Sequence, residues 1–144
     1  MSTEQEIRTL FKDWSEASAR MDIEGSMRPI AKDIVSYEHN APLRYVGVDA
    51  VREVCQSGFD MMAKAGGDFS WVVDDLKVRA EGDLAVAWGL NRMQRREGGT
   101  VTYDSRSRGT WIFERTREGW KLVHQHQSYP FDPQTGKALM ELRA

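Results

Sequence analysis

The sequence predicts an α+β domain in which N-terminal helices pack on one face of an antiparallel sheet. Two patterns support this prediction. In Thr3–Met21 and Asp49–Ala65, apolar residues recur at about every third or fourth position, which is the spacing of a helix with one buried face. From Asp68 onward, apolar and polar residues alternate in four runs separated by glycine-containing turns, as in strands joined by hairpins. Helices followed by consecutive strands are typical of the α+β class.

Three helices are expected in the first half of the chain. The first covers Thr3–Met21 and opens at a Ser2 or Thr3 cap, with Glu6 as the acidic partner. Its predicted buried stripe is Ile7, Leu10, Phe11, Trp14, Ala17, Ser18 and Met21. A short second helix is expected over Ser26–Ala31, because its proline is tolerated in a first turn.

The third helix is expected to begin at the cap residue Asp49 and to end at Ala65, before two glycines. Its predicted buried stripe is Val51, Val54, Cys55, Phe59 and Met62. Two short extended segments, Asp33–His39 and Pro42–Val46, precede this helix. The four later strands are expected over Phe69–Ala80, Leu84–Arg95, Val101–Arg115 and Lys121–Tyr129.

The composition is that of an ordinary globular protein and indicates one domain over residues 1–144. Hydrophobic residues make up 40% and charged residues 29%, and 144 residues is the usual size of one domain. The net charge of −2 argues against nucleic acid or an anionic membrane as a partner. Cys55 is the only cysteine, so no internal disulfide forms, and no run approaches the roughly 20 apolar residues of a membrane span. A cytoplasmic location is therefore expected.

Apolar residues occur on both predicted faces of two central strands. One strand places Leu84, Val86, Trp88 and Leu90 on one face. In the next strand, Trp111 and Phe113 alternate with Thr110 and Ile112. Helices cover only one face of a sheet, so we expect a homodimer through the outer sheet face. The alternative is that Trp111 and Phe113 form the inner face and that the other face is half polar.

The last strand carries a motif that extends into the C-terminal tail. It consists of Gly119, Trp120, His124, His126, Ser128, Pro130, Phe131, Thr135, Gly136 and Lys137. In this motif and three earlier blocks, the sequence resembles the SnoaL-like, or ketosteroid-isomerase-like, branch of the nuclear transport factor 2 superfamily. The earlier blocks are Pro42–Tyr45 with Gly47, Asp75–Leu76 before Gly82–Asp83, and Arg108–Thr110. The blocks occur in the family's order over nearly the whole chain.

This resemblance implies a cone-shaped (cystatin-like) fold, with three N-terminal helices packed on a curved, mainly antiparallel mixed sheet. It implies no metal, and no other cofactor is expected because the sequence contains no glycine-rich phosphate loop, CxxC pair or dinucleotide fingerprint. It does not define an activity. The superfamily places isomerases, dehydratases, polyketide cyclases, epoxide hydrolases and association domains on one scaffold.

Glu38 is the first candidate catalytic residue. Aligned with the ketosteroid isomerases, Glu38 falls where their proton-shuttling aspartate lies, and a carboxylate inside an apolar cone can move protons. The same alignment puts Trp14 where those enzymes have the phenol that holds the oxyanion. An indole N–H donates one hydrogen bond but is a weaker acid, so steroid isomerisation itself is not expected. The alternative is that Glu38 is a solvated charge at a strand end.

His124, His126 and Ser128 alternate along the last strand, so they are expected to share one face with Trp120 and Leu122. One hypothesis places the two histidines on a cavity wall, ready for proton transfer, with the serine beside them. A second makes the three residues a hydrogen-bonded polar seam between strands or at a subunit interface. A third is a zinc site formed with the remaining histidine of the chain, His39, and it requires that residue to reach the closing strand.

Other residues are candidates for binding a substrate. Arg108 would present a fixed fork to a carboxylate, with Asn91 on the neighbouring strand extending the polar patch, unless Arg108 forms only a surface salt bridge. Aromatic residues, among them Trp14, Tyr37 and Trp88, are more numerous than a small core needs. Some of them are expected to line an apolar pocket for a small molecule.

Two functions remain open from the sequence. In the first, the protein acts on a small, largely apolar carbonyl compound by acid–base chemistry, as an isomerase, cyclase or hydrolase. Glu38 or His126 would then transfer the proton and Arg108 would orient the compound. In the second, the protein is a non-catalytic ligand-binding or association domain with a structural His-x-His strand. Whether Glu38 and His126 face one cavity discriminates between the two.

Overall fold

Three helices and six strands make up the structure, a computed structural model that describes residues 1–144. The helices are α1 (Thr3–Ala19), α2 (Ile23–Met27) and α3 (Val48–Ala65). The strands are β1 (Ile30–Tyr37), β2 (Tyr45–Val46), β3 (Asp68–Glu81), β4 (Leu84–Glu97), β5 (Thr100–Thr116) and β6 (Gly119–Ser128). None of the helices combines the length and the apolar character needed to cross a membrane.

All six strands belong to one sheet, in the order β2-β1-β6-β5-β4-β3. β1 and β6 run parallel, and the other neighbouring pairs are antiparallel. The predicted α+β class, with three helices and a mainly antiparallel mixed sheet, is confirmed. Register shifts interrupt every pair except β1 with β2, and bulges of this kind curve a sheet. Of the strand expected over Pro42–Val46, only Tyr45–Val46 is paired.

Side-chain caps start the first two helices. Ser2 caps α1: its hydroxyl accepts a hydrogen bond from the Gln5 N–H at 3.2 Å, and the Gln5 side chain accepts one from the Ser2 N–H at 2.8 Å. Such a capping box satisfies two backbone donors that would otherwise lack partners. Asp22 caps α2 through the Gly25 N–H, at 3.0 Å. The second helix therefore begins before the predicted range Ser26–Ala31, and residue 30 already starts β1.

The third helix starts without a side-chain cap. Its N-cap is Gly47, whose φ of 91° lies in the region that favours glycine. The predicted cap, Asp49, lies inside the first turn instead, where its negative charge is stabilised by the helix dipole. The helix ends at Gly66, whose φ is 77°, as the sequence predicts.

The hydrophobic core lies between the helices and one face of the sheet, which we call the inner face. Its buried members are Ile7, Phe11, Met27, Ile30, Ile34, Val51, Val78, Ala85, Ala87, Trp111, Phe113, Trp120 and Leu122. The ring of Phe11 meets Trp111 and Phe113 edge to face, at centroid distances of 5.1 and 5.8 Å. Trp111 and Phe113 are fully buried. They therefore belong to the inner face, as in the alternative that the sequence left open.

One extra residue in β6 changes which side chains face inward. Phe113 of β5 pairs with Leu122, whereas the preceding residue Ile112 pairs with His124. Val123 is therefore a β-bulge, with no partner of its own on β5. Since side chains alternate strictly along a strand, a single inserted residue moves all later side chains to the opposite face.

The bulge overturns one prediction from the sequence. Trp120 and Leu122 face inward and are buried, as expected, but Gln125 is the next buried residue of the strand. His124 and His126 instead lie on the outer face. The expectation that the two histidines share a face with Trp120 is therefore wrong, because it assumed an uninterrupted two-residue period.

Gly109→Ala is expected to lower the free energy of unfolding by about 1–3 kcal/mol. A Cβ at this position would lie 2.3 Å from Cη2 of Trp111, whose ring is held by Phe11. Chemical denaturation measures the difference. Thr110→Ala, at the neighbouring exposed position, is the control and should change stability by less than about 0.5 kcal/mol. A loss at Gly109 no larger than the control's would show that the indole has room to move.

Candidate functional site

A cavity of about 230 Å³ lies between α1, α3 and the inner face of the sheet. Most of its lining is apolar: Trp14, Met27, Ile30, Val51, Val54, Cys55, Phe59, Met62, Phe69, Trp71, Met93 and Trp111. Its polar lining includes Glu38, His39, Gln125 and Gln127. A mostly apolar concave site with a few polar groups is typical of small-molecule binding.

Glu38, just after β1, is held by three side-chain hydrogen bonds. Its Oε1 accepts one from the Ser36 hydroxyl at 2.6 Å and one from Gln125 Nε2 at 3.0 Å. Its Oε2 accepts one from Gln127 Nε2 at 3.0 Å. Gln125 also donates to the Ser36 hydroxyl at 2.9 Å. These contacts fix the carboxylate in one orientation at the cavity wall, so the alternative of a solvated strand-end charge does not hold.

The hydrogen bonds continue from Glu38 across the sheet through Asn91. The Asn91 side-chain amide donates to Gln127 Oε1 at 3.0 Å and to the Ser107 hydroxyl at 3.1 Å. Its oxygen accepts from Trp71 Nε1 at 2.8 Å. Asn91 is only 1% exposed, and all of its side-chain polar atoms have partners. It therefore connects the carboxylate cluster to Trp71, an aromatic wall of the cavity.

His39 follows Glu38 along the chain and also lines the cavity. Its Nε2 lies 2.8 Å from the Ser107 hydroxyl, and its ring centroid lies 4.6 Å from that of Tyr129. Burial lowers the pKa of the His39 imidazole from its ordinary value. The ring is therefore neutral near pH 7, and which nitrogen carries its proton depends on the contact with Ser107.

One buried donor beside this cluster has no hydrogen-bond partner. It is the indole N–H of Trp111, a residue that lines the cavity. Trp111 pairs with Gln125 in the sheet, and its ring lies over Gly109, which pairs with Gln127. The indole is therefore next to both glutamines that bond to Glu38. A buried donor without a partner destabilises a protein by about 1–3 kcal/mol.

The thiol of Cys55 also lines the cavity. Burial, and to a lesser degree the nearby charge of Glu38, raises its pKa to about 11. The thiol is therefore protonated at neutral pH, and a protonated thiol is a poor nucleophile. Cys55 contributes packing surface rather than covalent chemistry.

The predicted catalytic histidines of β6 lie on the outer face, away from Glu38. His124 Nδ1 is 2.7 Å from the Val35 backbone carbonyl, and the ring of Tyr37 meets His124 and His126 edge-on at centroid distances of 4.7 and 5.3 Å. His124 therefore joins β6 to β1 by a hydrogen bond, as in the polar-seam hypothesis, whereas His126 packs against Tyr37. The three-histidine zinc site is not formed, because His39 lies on the inner side of the sheet.

The predicted substrate-binding residues also divide between the two faces. Trp14 lines the cavity, and Asn91 lies one hydrogen bond behind Gln127. The others, Tyr37, Trp88, Arg108 and Ser128, lie on the outer face. There, Arg108 donates to the Ser128 hydroxyl at 3.2 Å. The expected polar patch of Arg108 with Asn91 is therefore wrong, because the two side chains point to opposite faces of the sheet.

Sequence reasoning missed the residues that hold Glu38. Gln125 lies between the two histidines and Gln127 lies between His126 and Ser128, and the predicted alternation places both glutamines outside. Two glutamines spaced to share a face, in a strand next to a candidate base, were the available signal. Ser36 was passed over as an ordinary strand residue, although it lies two positions before Glu38 and therefore on the same face.

Comparisons with known proteins agree with this fold. The sequence profile of a SnoaL-like domain matches residues 7–132. The chain is similar to a crystal structure of an NTF2-like protein of unknown function from Pseudomonas putida KT2440, with 34% sequence identity and a TM-score of 0.88. The match covers 100% of this chain and 99% of that protein. No curated protein matches the chain.

Two more distant structures share the fold alone. An NTF2-like protein with a cystatin-like fold from Novosphingobium aromaticivorans is 21% identical over 87% of this chain and 80% of its own, with a TM-score of 0.74. The CaMKII hub of S. rosetta is 18% identical over 89% of this chain and 97% of its own, with a TM-score of 0.71. The cystatin-like fold expected from the sequence is therefore confirmed.

His39 is expected to make stability depend on pH. Because burial lowers its pKa in the folded protein, the unfolded chain binds this proton more readily, and the free energy of unfolding rises with pH. This contribution is complete above about pH 6.5 and is lost as the pH falls from there through the lowered pKa. Urea denaturation between about pH 7.5 and about pH 5 measures the slope. His39→Gln should reduce the slope of the free energy of unfolding against pH, and the exposed His126→Gln should not. Equal slopes in the two variants would show that His39 is not the source of the pH dependence.

Proposed function

We propose that this chain, which belongs to the SnoaL-like domain family of NTF2-like proteins, binds a small, largely apolar carbonyl compound and moves a proton on it. Glu38 is the base in this proposal. The observation that carries it is the position of this carboxylate, at the wall of an apolar cavity and held by Ser36, Gln125 and Gln127. Neither the family nor the fold specifies the reaction.

The hydrogen bonds of Glu38 leave room for a transferred proton. An ionised carboxylate offers about four acceptor positions. Three are filled by protein donors, two on Oε1 and one on Oε2. The remaining position on Oε2 is free to take a proton from a bound molecule. Fixed orientation supports this role, because a general base must lie within hydrogen-bond reach of the proton that it removes.

The reaction that suits these groups is a proton shift next to a carbonyl. Glu38 removes a proton from the carbon beside the carbonyl, and the electron pair of the broken C–H bond moves onto the carbonyl oxygen. Glu38 then returns the proton to the same carbon or to another carbon of the conjugated system. No other reactant is consumed in this sequence.

Ligand binding without catalysis is the second candidate, and one observation favours it. The His-x-His pair, which suggested acid–base chemistry in the sequence, is held outside the cavity by the Val35 carbonyl and the Tyr37 ring. In this reading the histidines are structural and the polar cluster around Glu38 serves only to orient a bound molecule. The two candidates share the cavity and differ in whether Glu38 exchanges protons with its contents.

Glu38→Gln is expected to slow proton transfer by about 10²–10⁴-fold, because the amide cannot act as the base. The measurement is the exchange of carbon-bound hydrogen for deuterium in small cyclic ketones and enones dissolved in D₂O, followed by NMR. Exchange in the wild-type protein above the rate with buffer alone is the expected result. Glu53→Gln is the matched control, since it makes the same change at an exposed position of α3.

Two outcomes would count against this mechanism. Wild-type protein that binds the ketones without accelerating exchange would leave binding alone as the function. If His126→Gln lowered the exchange rate as much as Glu38→Gln, the proton transfer would be assigned to the outer face instead. Melting temperatures of all variants exclude unfolding as the cause of lost exchange.

We also propose that two copies of the chain pair through the outer sheet face. β4 presents Leu84 and Trp88 there with 48% and 40% of their surfaces exposed. Val86 pairs in the sheet with Ile112, which extends the apolar surface onto β5. No helix of this chain covers this face, and a face of this kind favours association with a partner. A second copy supplies a self-complementary cover.

Trp88→Glu should convert such a dimer into a monomer, because it places a charge in the apolar contact. Light scattering should then give 16.5 kDa for the variant and twice that mass for the unchanged protein. Met61→Glu, at a position of α3 that is 70% exposed, is the matched control and should remain a dimer. If the unchanged protein itself were monomeric, the proposed dimer would be wrong.

A further inference from the structure

We propose that Gly58 sets the size of the molecule that the cavity accepts, and that this molecule carries one or two rings, one of which packs on the bare helix backbone at Gly58. The proposal deepens the binding function proposed above and rests on its cavity. It does not depend on whether Glu38 is catalytic.

Gly58 lies in the middle of the cavity-facing stripe of α3. Val54 and Cys55 precede it by one helical turn, and Met62 follows it by one turn. All four residues line the cavity. Since residues three and four apart share one face of a helix, a side chain at position 58 would point toward the cavity between its neighbours. The stripe therefore has a gap at its centre.

Neither packing nor backbone conformation requires glycine at position 58. A Cβ built there has no atom within 4 Å, whereas a Cβ at Gly25 or Gly109 would lie 2.5 Å or less from another side chain. Gly58 is inside a regular helix and is not among the glycines with positive φ. Glycine is also one of the poorest helix formers, second only to proline. The space that it leaves open is space in the cavity, and a bound molecule is what makes use of it.

The cavity volume limits the occupant to one or two rings. An engineered protein cavity of about 150 Å³ binds benzene. The cavity here, at about 230 Å³, is roughly half as large again. It therefore accommodates a single ring with substituents or two small fused rings. A four-ring steroid exceeds this volume and would extend beyond the cavity.

The position of Gly58 also orients the occupant. Glu38 and Cys55 line the same cavity, so the carboxylate faces the space in front of the helical turn that precedes Gly58. Cys55 and Gly58 are separated by about 4.5 Å along the helix axis. A molecule whose carbonyl end meets the polar cluster at Glu38 therefore places its ring against Gly58. Flat, apolar rings suit this surface, because the bare backbone offers contact area without a protruding side chain.

Binding of three probe ketones to the full chain tests this proposal. Cyclohex-2-enone has one ring, 1-indanone has two fused rings and testosterone has four. Dissociation constants are measured by titration calorimetry for the unchanged protein, Gly58→Ala and Gly58→Leu. The matched controls are Ser57→Ala and Ser57→Leu, which change the adjacent exposed position of the same helix.

The unchanged protein should bind cyclohex-2-enone and 1-indanone, and it should bind testosterone more weakly than 1-indanone. Gly58→Leu should weaken the binding of 1-indanone by about tenfold or more, because it fills the space that the second ring needs. Both Gly58 variants should melt at or above the temperature of the unchanged protein, since each replaces glycine in a helix. This thermal result shows that weaker binding does not come from unfolding.

Three results would overturn the proposal. They are undiminished binding of 1-indanone by Gly58→Leu, binding of testosterone as tight as that of 1-indanone, and failure of the unchanged protein to bind either small ketone. Hydrogen exchange measured on the same samples separates this inference from catalysis by Glu38. Size-selective binding without exchange would remove the catalytic role and leave the size limit in place.

Discussion

The structure of the candidate site depends on one inserted residue, Val123, in the last strand. Without that bulge, the strand would keep its two-residue period and His124 would face the core in line with Leu122. With it, Gln125 and Gln127 face inward and meet the carboxylate that follows the neighbouring parallel strand. The register of β6 therefore determines whether imidazole or amide side chains surround Glu38. The chemistry of the cavity follows from that choice.

The polar cluster is stable inside an apolar cavity because its members satisfy one another. A buried carboxylate without partners is strongly unfavourable, and each unmet donor adds to the penalty. Here Glu38 accepts three hydrogen bonds. One of its donors, Gln127, in turn accepts a hydrogen bond from Asn91. These residues come from the first strand and from strands across the sheet, so the cluster also ties the sheet together. The indole N–H of Trp111 is the exception, a buried donor without a partner.

The fold could be predicted from the sequence to a large extent, and the site only in part. Helical and two-residue periods identify α1, α3 and the four long strands because they extend over many residues. Glu38 emerged from a comparison with the isomerases rather than from its spacing. The inward-facing glutamines could not be predicted, because a bulge at Val123 leaves no mark in composition and shifts every later residue. The space left by Gly58 could not be predicted either, because from the sequence a glycine within a helix indicates only a low helix propensity.

The parallel pairing of β1 with β6 has a consequence for how the protein folds. Glu38 and Gln125 are separated by 87 residues in the chain, yet they share a hydrogen bond. The hairpins from β3 to β6 form from neighbours in sequence, whereas joining β1 to β6 requires closure of a much longer loop. A chain that has completed only its meander of hairpins has half of the polar cluster and no carboxylate. Competence to bind therefore requires the long-range pairing of β1 with β6 as well as the hairpins.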